Sequence, residues 1–159
     1  ICFMLAQAMA PTGALMAFIA LFSGAFWSRP TWGTYWVWDA RLTSELILFF
    51  LYLGFIALHS AIDDKRRADR AASVISIVGV INVPIIYFSV QWWNTLHQGA
   101  SITSRGSSIA PIMLYTLLIM VVAGMCYGAG MVLARTRSII LERERRENWT
   151  KEAALEGKL

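Results

Sequence analysis

Residues 111–134 read PIMLYTLLIMVVAGMCYGAGMVLA, a run that contains no charged side chain. A helix needs about 20 predominantly apolar residues to cross the hydrocarbon core of a bilayer, so this run predicts a transmembrane helix. Three more apolar runs of similar length lie at about residues 7–27, 42–62 and 72–90. The chain is 57% hydrophobic with a mean hydropathy of +0.55, above the roughly 45–50% apolar content of soluble domains. We therefore expect an all-α polytopic membrane helical bundle with four spans, formed by residues 1–159 as a single domain.

The basic residues predict how the bundle is oriented. They follow span two at Lys65, Arg66, Arg67 and Arg70, and span four at Arg135, Arg137, Arg143, Arg145, Arg146, Lys151 and Lys158. The outer loops, residues 28–41 and 91–110, carry only Arg29, Arg41 and Arg105. Because Lys and Arg near span ends are retained in the cytoplasm, we expect both ends of the segment, including the tail 135–159, to be cytoplasmic. This excess of Lys and Arg on the cytoplasmic side of the lipid bilayer accounts for the net charge of +4, so no nucleic acid partner is needed to explain it.

The ends and the cysteines give further expectations. The chain begins at Ile1 with no initiator Met and no basic n-region of a signal peptide, so we interpret it as a fragment of a longer protein. Cys2 and Cys126 are predicted to lie at different depths, which makes a disulfide unexpected. The absence of a Cys-x-x-Cys-His motif excludes a c-type cytochrome.

Tryptophan is concentrated in one outer loop. Residues 32–43 read WGTYWVWDARLT, and Pro30 suits the start of a short interfacial helix over residues 31–39. In such a helix Trp32, Trp36 and Asp39 share one face, whereas Tyr35, Trp38 and either Arg41 or Leu42 share another. Two interpretations stay open: an ordinary interfacial aromatic belt, or a platform for a broad planar ligand such as a porphyrin. Six of the seven tryptophans lie at outer ends or loops, at positions 27, 32, 36, 38, 92 and 93, which favours the platform.

Polar residues inside the spans need partners. Glu45 lies one turn inside span two, and Arg41 precedes it by four residues, so the two side chains either pair or leave Arg41 free for a ligand carboxylate. In span three, Asn82 and Pro84 predict a kink in which the amide replaces a lost hydrogen bond.

The two histidines lie at opposite ends of the spans. His59 is near the cytoplasmic end of span two, where a structural role is expected. His97 follows Trp92 and Trp93 on the outer side, and a helix over residues 91–98 would place Trp93 one turn from it. Its position beside aromatic rings suits either an axial ligand of haem iron or a loop-capping histidine. No phosphate loop, nucleophile motif or paired acids appear, so we do not expect an enzyme.

Three segments resemble a known family. Residues 32–43, Asn82-Val-Pro-Ile-Ile-Tyr87 and Trp92-Trp-Asn-Thr-Leu-His97-Gln-Gly99 are similar to the WWD family of haem-handling proteins of cytochrome c maturation, and Ala-Arg-Leu-Thr after the aspartate resembles its C component. The resemblance implies a six-span protein that binds haem b at the periplasmic face of the bacterial inner membrane and delivers it to a haem chaperone. It further implies a small single-span helper protein and ABC ATPase and permease subunits as partners.

The resemblance also implies a site. His97 would be one axial ligand of the haem iron, and the second would lie in an upstream outer loop that this segment lacks. The cofactor-binding residues would be His97, Trp32, Gly33, Trp36, Trp38, Asp39, Arg41, Trp92 and Trp93. Tyr35 stands where many relatives have another tryptophan, but it keeps an aromatic face.

Two alternative functions remain. A haem lyase of the same superfamily is disfavoured by Ala40-Arg41-Leu42-Thr43, since lyases tend to continue differently after the aspartate. A haem-transporting permease subunit would need a polar path through the spans, for which Glu45 and Asn82 alone are a poor basis.

Overall fold

The computed structural model describes residues 2–93, 95–97, 99, 101–103 and 106–144. Its helices are α1 (Cys2–Trp32), α2 (Ala40–Ala61), α3 (Lys65–Trp92) and α4 (Pro111–Arg143), and its strands are β1 (Ile102–Thr103) and β2 (Gly106–Ser107), paired antiparallel. All four helices are long and apolar enough to cross a membrane, which confirms the predicted all-α bundle with four spans. Arg105 and the tail beyond Glu144 lie outside the described residues.

The helices extend past the predicted spans. The carboxylate of Asp64 caps α3 by accepting hydrogen bonds from the backbone N–H groups of Arg66 and Arg67, so α3 begins at Lys65 rather than near residue 72. Helix α4 likewise continues to Arg143, beyond the predicted end of span four. A helix does not end where its apolar run ends, because its own backbone hydrogen bonds continue into the interface. Most of the predicted connector and part of the tail are therefore helical.

The predicted interfacial helix over residues 31–39 is wrong. Helix α1 runs through Pro30 to Trp32 and ends at Gly33, whose φ of +79° places it in the left-handed region. The Gly33 N–H bonds the carbonyl of Arg29 at 2.9 Å, which is the hydrogen bond of an αL helix end. Residues 33–35 then form bends, and residues 36–39 have no regular secondary structure, with a tight turn in which the Asp39 N–H bonds the Val37 carbonyl at 2.9 Å. The helical phase expected for the tryptophans does not apply to this segment.

Small residues bring the helices together. Helix α1 buries Ala8, Ala10, Ala14 and Ala17, and it packs against α2 and α4, while α3 packs against α2. At Gly13 a Cβ atom would lie 2.5 Å from Cζ of Tyr52 in α2. Close approach through small residues is how transmembrane helices gain van der Waals contact when lipid removes the hydrophobic driving force.

Helix α4 is the least covered element. It has no buried residue, and a Cβ atom at Gly124 or Gly128 would meet nothing within 4 Å among the described residues. The small-residue pattern of α4 is therefore not used in packing within the described part of the chain. Cys2 and Cys126 are both exposed and unpaired, as expected.

Polar ties hold the bundle at one end. Arg143 of α4 donates to both carboxylate oxygens of Asp69 in α3, at 2.9 and 3.0 Å, and to Oε1 of Gln7 in α1 at 2.8 Å. His59 of α2 completes the cluster, with Nε2 lying 3.7 Å from Oδ1 of Asp69. We call this end, with residues 59–70 and 135–144, the basic end. The opposite end, with residues 27–41, 92–93, 95–97, 99 and 101, is the tryptophan end.

A third tie lies between α2 and α3. The buried amide of Asn82 donates to the carbonyl of Ser44 at 2.9 Å. The Asn82 amide was predicted to supply a replacement hydrogen bond near Pro84, and in the structure its donor is used between helices, on the carbonyl of Ser44 in α2. This bond fixes the register of α3 against α2 close to the tryptophan end.

We expect Gly13→Leu to lower the free energy of unfolding by about 1–3 kcal/mol, the usual cost of overpacking. The added side chain would displace the Tyr52 ring and separate α1 from α2. Gly124→Leu is the matched control, since its Cβ meets open space and the helix propensity change is the same. Thermal unfolding in detergent micelles compares them, and equal stability of the two variants would contradict the close α1 and α2 contact.

Candidate functional site

One carboxylate organises the tryptophan end. Asp39 is buried, with 9% of its surface exposed, and it is the N-cap of α2. Its Oδ1 accepts the backbone N–H of Leu42 at 2.8 Å, and its Oδ2 lies 2.6 Å from Nδ1 of His97. A carboxylate at a helix N-terminus is also favoured by the helix dipole. Both oxygens are thus used, one by the helix start and one by the histidine.

The bond to Asp39 decides which histidine nitrogen is available. An ionised carboxylate only accepts hydrogen bonds, so Nδ1 of His97 carries the hydrogen. In the neutral imidazole Nε2 then has a free lone pair, and Nε2 forms no hydrogen bond with the described residues. This is the arrangement of metal-binding histidines whose other nitrogen is held by a carboxylate.

Aromatic rings fix the imidazole in place. The indole of Trp32 packs edge to face against the His97 ring, with centroids 4.8 Å apart at 78°. Trp27 packs in the same manner on Trp32, at 5.4 Å and 82°. Such pairs contribute about 0.5–1.5 kcal/mol beyond their buried area. The imidazole is therefore held by a hydrogen bond at one edge and by an indole at its side.

Two cavities meet at His97. One of about 620 Å³ lies towards α3 and is lined by Trp27, Arg41, Glu45, Leu48, Val83, Ile86, Tyr87, Val90, Gln91, His97, Gly99 and Ser101. The other, of about 510 Å³, lies towards α1 and is lined by Ala20, Leu21, Ser23, Gly24, Trp27, Trp32, Arg41, Leu42, Glu45 and His97. Each falls in the range of about 300–1,000 Å³ found for cofactor and small-molecule sites. Trp27, Arg41, Glu45 and His97 line both.

Arg41 and Glu45 face the cavities separately. Arg41 is exposed and forms no ion pair within the part of the chain that the structure describes. Of the two alternatives given by the sequence, the structure therefore does not show the Arg41–Glu45 ion pair. The guanidinium is consequently available to an anionic group in either cavity. Its planar fork suits a carboxylate particularly well.

Trp36 and Trp38 belong to a separate cluster. Their rings contact each other edge to face at 5.5 Å, and neither lines the two cavities. Trp36 is half-buried, and its Nε1 has no partner among the described residues, whereas Trp38 is 75% exposed. The structure therefore does not bring these two indoles to His97.

Trp92 and Trp93 are also apart from the cavities. Helix α3 ends at Trp92, with Trp93 as its C-cap, so the expected stacking of Trp93 and His97 on one helix is wrong. Trp92 stacks on Phe88 at 5.3 Å and contacts Trp93 edge to face. Both indoles are more than half exposed and form a separate aromatic surface.

Sequence reasoning missed Trp27 as a site residue. It lies in the last turns of α1, five residues before Trp32, and it lines both cavities. The sequence had placed Trp27 at the outer end with the other tryptophans, but it did not show that the indole lines the same cavities as His97. Gly33 was expected among the cofactor-binding residues, whereas in the structure its positive φ ends α1 and changes the direction of the chain.

The donor set fits a macrocycle-bound iron. Within the described ranges no group of three His, Cys, Asp or Glu side chains could hold a bare metal ion. The imidazole of His97, with its free Nε2, suits the iron, and the flat indole of Trp32 suits the macrocycle. The guanidinium of Arg41 beside the cavity suits the anionic propionates. The residues that could hold such a group are His97, Trp32, Trp27 and Arg41, with Asp39 behind the histidine.

Comparison with known proteins gives a consistent result. The family model described as Heme exporter protein C matches residues 1–151. The chain is 51% identical over 148 residues to the Heme exporter protein C of Escherichia coli (strain K12), covering 93% of the chain and 60% of that protein. It is 55% identical over 139 residues to that of Bradyrhizobium diazoefficiens, covering 87% and 53%, respectively. A putative cytochrome c biosynthesis ccmC-like mitochondrial protein of Marchantia polymorpha is 46% identical over 132 residues, covering 83% of the chain and 55% of the relative. The chain thus spans somewhat more than half the length of these relatives.

We expect Asp39→Ala to lower the free energy of unfolding by about 3 kcal/mol, since it removes a helix N-cap and a charge-assisted hydrogen bond together. Asp39→Asn should cost less than half as much, because asparagine caps helices well and its amide can still bond the imidazole. Thermal unfolding in micelles measures both. An Asp39→Ala variant as stable as wild type would show that the two hydrogen bonds do not support the fold.

Proposed function

The chain belongs to the heme exporter protein C family, and from this premise we propose that it binds haem b and passes it on during assembly of c-type cytochromes. The names of its relatives support haem handling and cytochrome c biosynthesis as the process. The proposed role is binding and delivery of a cofactor rather than catalysis of a bond. The haem would be held at the tryptophan end of the bundle.

The observation that carries this proposal is the Asp39–His97 pair. When bound, haem supplies an iron centre whose axial positions accept a neutral imidazole nitrogen. His97 offers Nε2 for this purpose because Nδ1 is engaged by Asp39 at 2.6 Å. The same bond makes the imidazole a stronger donor and fixes its orientation. Asp39 is thus proposed as a positioning residue and His97 as one axial ligand.

The remaining site residues are proposed in two groups. Trp32 and Arg41 line the cavity beside His97, and we assign them to the macrocycle face and to a propionate. The exposed rings of Trp38, Trp92 and Trp93 and the half-buried ring of Trp36 are assigned to a platform that guides haem or contacts the haem chaperone. Gly33 contributes through the turn that separates these two groups.

The proposed location is the bacterial inner membrane, with the tryptophan end periplasmic and both ends of the segment cytoplasmic. Support comes from the contact of Arg143 with Asp69, which places the basic residues after α2 and at the end of α4 on the same side of the bundle. The proposed partners are the haem chaperone, a small single-span helper protein, and ABC ATPase and permease subunits. The iron's second axial ligand would come from outside this segment.

A permease role is less well supported by the same observations. It would need a polar path between the helices, and Asn82 was one of its two candidate residues. The Asn82 amide is committed to the carbonyl of Ser44. Glu45 faces the cavities beside His97, where it belongs to the proposed haem site.

The test is haem binding by the full-length protein. We expect His97→Ala to remove one axial nitrogen, shift the optical spectrum away from bis-imidazole character and lower haem delivery. Asp39→Asn should produce a similar loss by another route. Its amide would donate to Nδ1, which places the hydrogen on Nε2 and leaves no lone pair for iron.

His59→Ala is the control for this experiment. His59 lies at the basic end, about a bilayer thickness of ~30 Å from the tryptophan end, so it should leave the haem spectrum unchanged. Optical spectra of purified, membrane-inserted variants measure ligation, and chaperone loading measures delivery. A wild-type spectrum and normal delivery in His97→Ala would refute the ligand assignment.

The orientation has its own test. A reporter active only in the periplasm should give signal when fused at Ser101, in the outer loop beside His97. The same reporter fused after Leu159 should give none, because the basic residues keep that end in the cytoplasm. The reverse pattern would place the proposed haem site on the wrong side.

A further inference from the structure

A cavity of about 530 Å³ lies at the basic end, on the opposite side of the bundle from the proposed haem site. It is bounded by α1, the end of α2, the start of α3 and the last turns of α4. Its polar lining consists of Gln7, His59, Ser60, Lys65, Arg135, Ser138 and Glu142, and its apolar lining of Ala8, Pro11, Phe55, Ile56 and Ile139. The lining thus combines apolar side chains, which we call the apolar wall, with polar and charged ones.

The cations of this cavity are not neutralised. Lys65 and Arg135 form no ion pair within the described ranges, whereas the neighbouring Arg143 is fully engaged by Asp69 and Gln7. The single carboxylate in the lining, Glu142, is exposed. With two cationic side chains and one carboxylate, the lining of the cavity carries a net positive charge.

A buried polar atom is also without a partner there. His59 is only 7% exposed, and its Nδ1 has no hydrogen bond among the described residues. A buried unpaired nitrogen is costly, about 1–3 kcal/mol, and its presence in a cavity lining indicates that a ligand or water completes it. Because Nε2 of His59 faces the Asp69 carboxylate, Nδ1 is the accepting nitrogen of the neutral ring, and a headgroup hydroxyl or a water would satisfy it while phosphate oxygens meet the two cations.

We propose that this cavity binds an anionic phospholipid, with its phosphate held by Lys65 and Arg135 and its chains against the apolar wall. Basic pockets between transmembrane helices at the interface bind acidic headgroups in this manner. A free phosphate would have no use for the wall formed by Pro11, Phe55 and Ile139. The bound lipid would connect the start of α3 to α4, which packs mainly on α1.

The experiment is native mass spectrometry of the full-length protein released from detergent micelles, with phosphatidylglycerol added. Wild type should retain this lipid. Lys65→Gln with Arg135→Gln should weaken its apparent affinity roughly 30-fold, and each single variant about fivefold, since each basic side chain near an acidic headgroup contributes about that factor. Arg66→Gln with Arg70→Gln is the matched control, because it removes the same charge from exposed residues outside the cavity and should leave retention unchanged.

The lipid source is separated by two further probes. Phosphatidylcholine, which has the same chains and no net charge, should be retained at least tenfold less, and millimolar inorganic phosphate should not displace phosphatidylglycerol. Equal retention of the two lipids, equal loss in both double variants, or displacement by inorganic phosphate would each overturn the proposal. Failure to retain any phosphatidylglycerol on folded wild-type protein would overturn it as well.

Discussion

The buried carboxylate of Asp39 is the constraint on which the tryptophan end depends. A desolvated carboxylate is stable only when its oxygens receive hydrogen bonds, and here one comes from the start of α2 and the other from a histidine 58 residues away. The same group therefore determines where α2 begins, where the loop after α3 lies and which imidazole nitrogen is free. Changing any one of these alters the other two, because they share a single acceptor.

The rest of the bundle follows a similar rule. Lipid is as apolar as the side chains it contacts, so burial alone does not decide how the helices pair. Alanines and Gly13 of α1 allow close approach, while Asn82 and the Asp69–Arg143 pair determine register and neighbours. The fully bonded Asp69–Arg143 pair is what brings the basic end of α4 to α3, since α4 buries no side chain of its own.

The two ends of the bundle consequently offer different chemistry. At the tryptophan end, an imidazole held by Asp39, flat indoles and a guanidinium without an ion pair among the described residues surround the cavities, which suits a planar iron complex with acidic side arms. At the basic end, an apolar wall under two cations suits an acidic amphiphile. A membrane protein that handles haem would then be fixed in the bilayer at one end and exchange its ligand at the other.

The sequence by itself determined the four spans, the separation of basic and tryptophan ends, and the candidacy of His97, because hydropathy, charge and rare residues are local properties. Tertiary structure decided the rest. The left-handed Gly33 ended α1 and replaced the expected helix by irregular chain, which local periodicity does not reveal. The Asp39–His97 bond and the contact of Trp32 with His97 depend on how α1, α2 and the loop after α3 pack. Contacts between residues far apart in the chain follow from helix register, and that register is set by side-chain bonds between helices rather than by the order of residues within one of them.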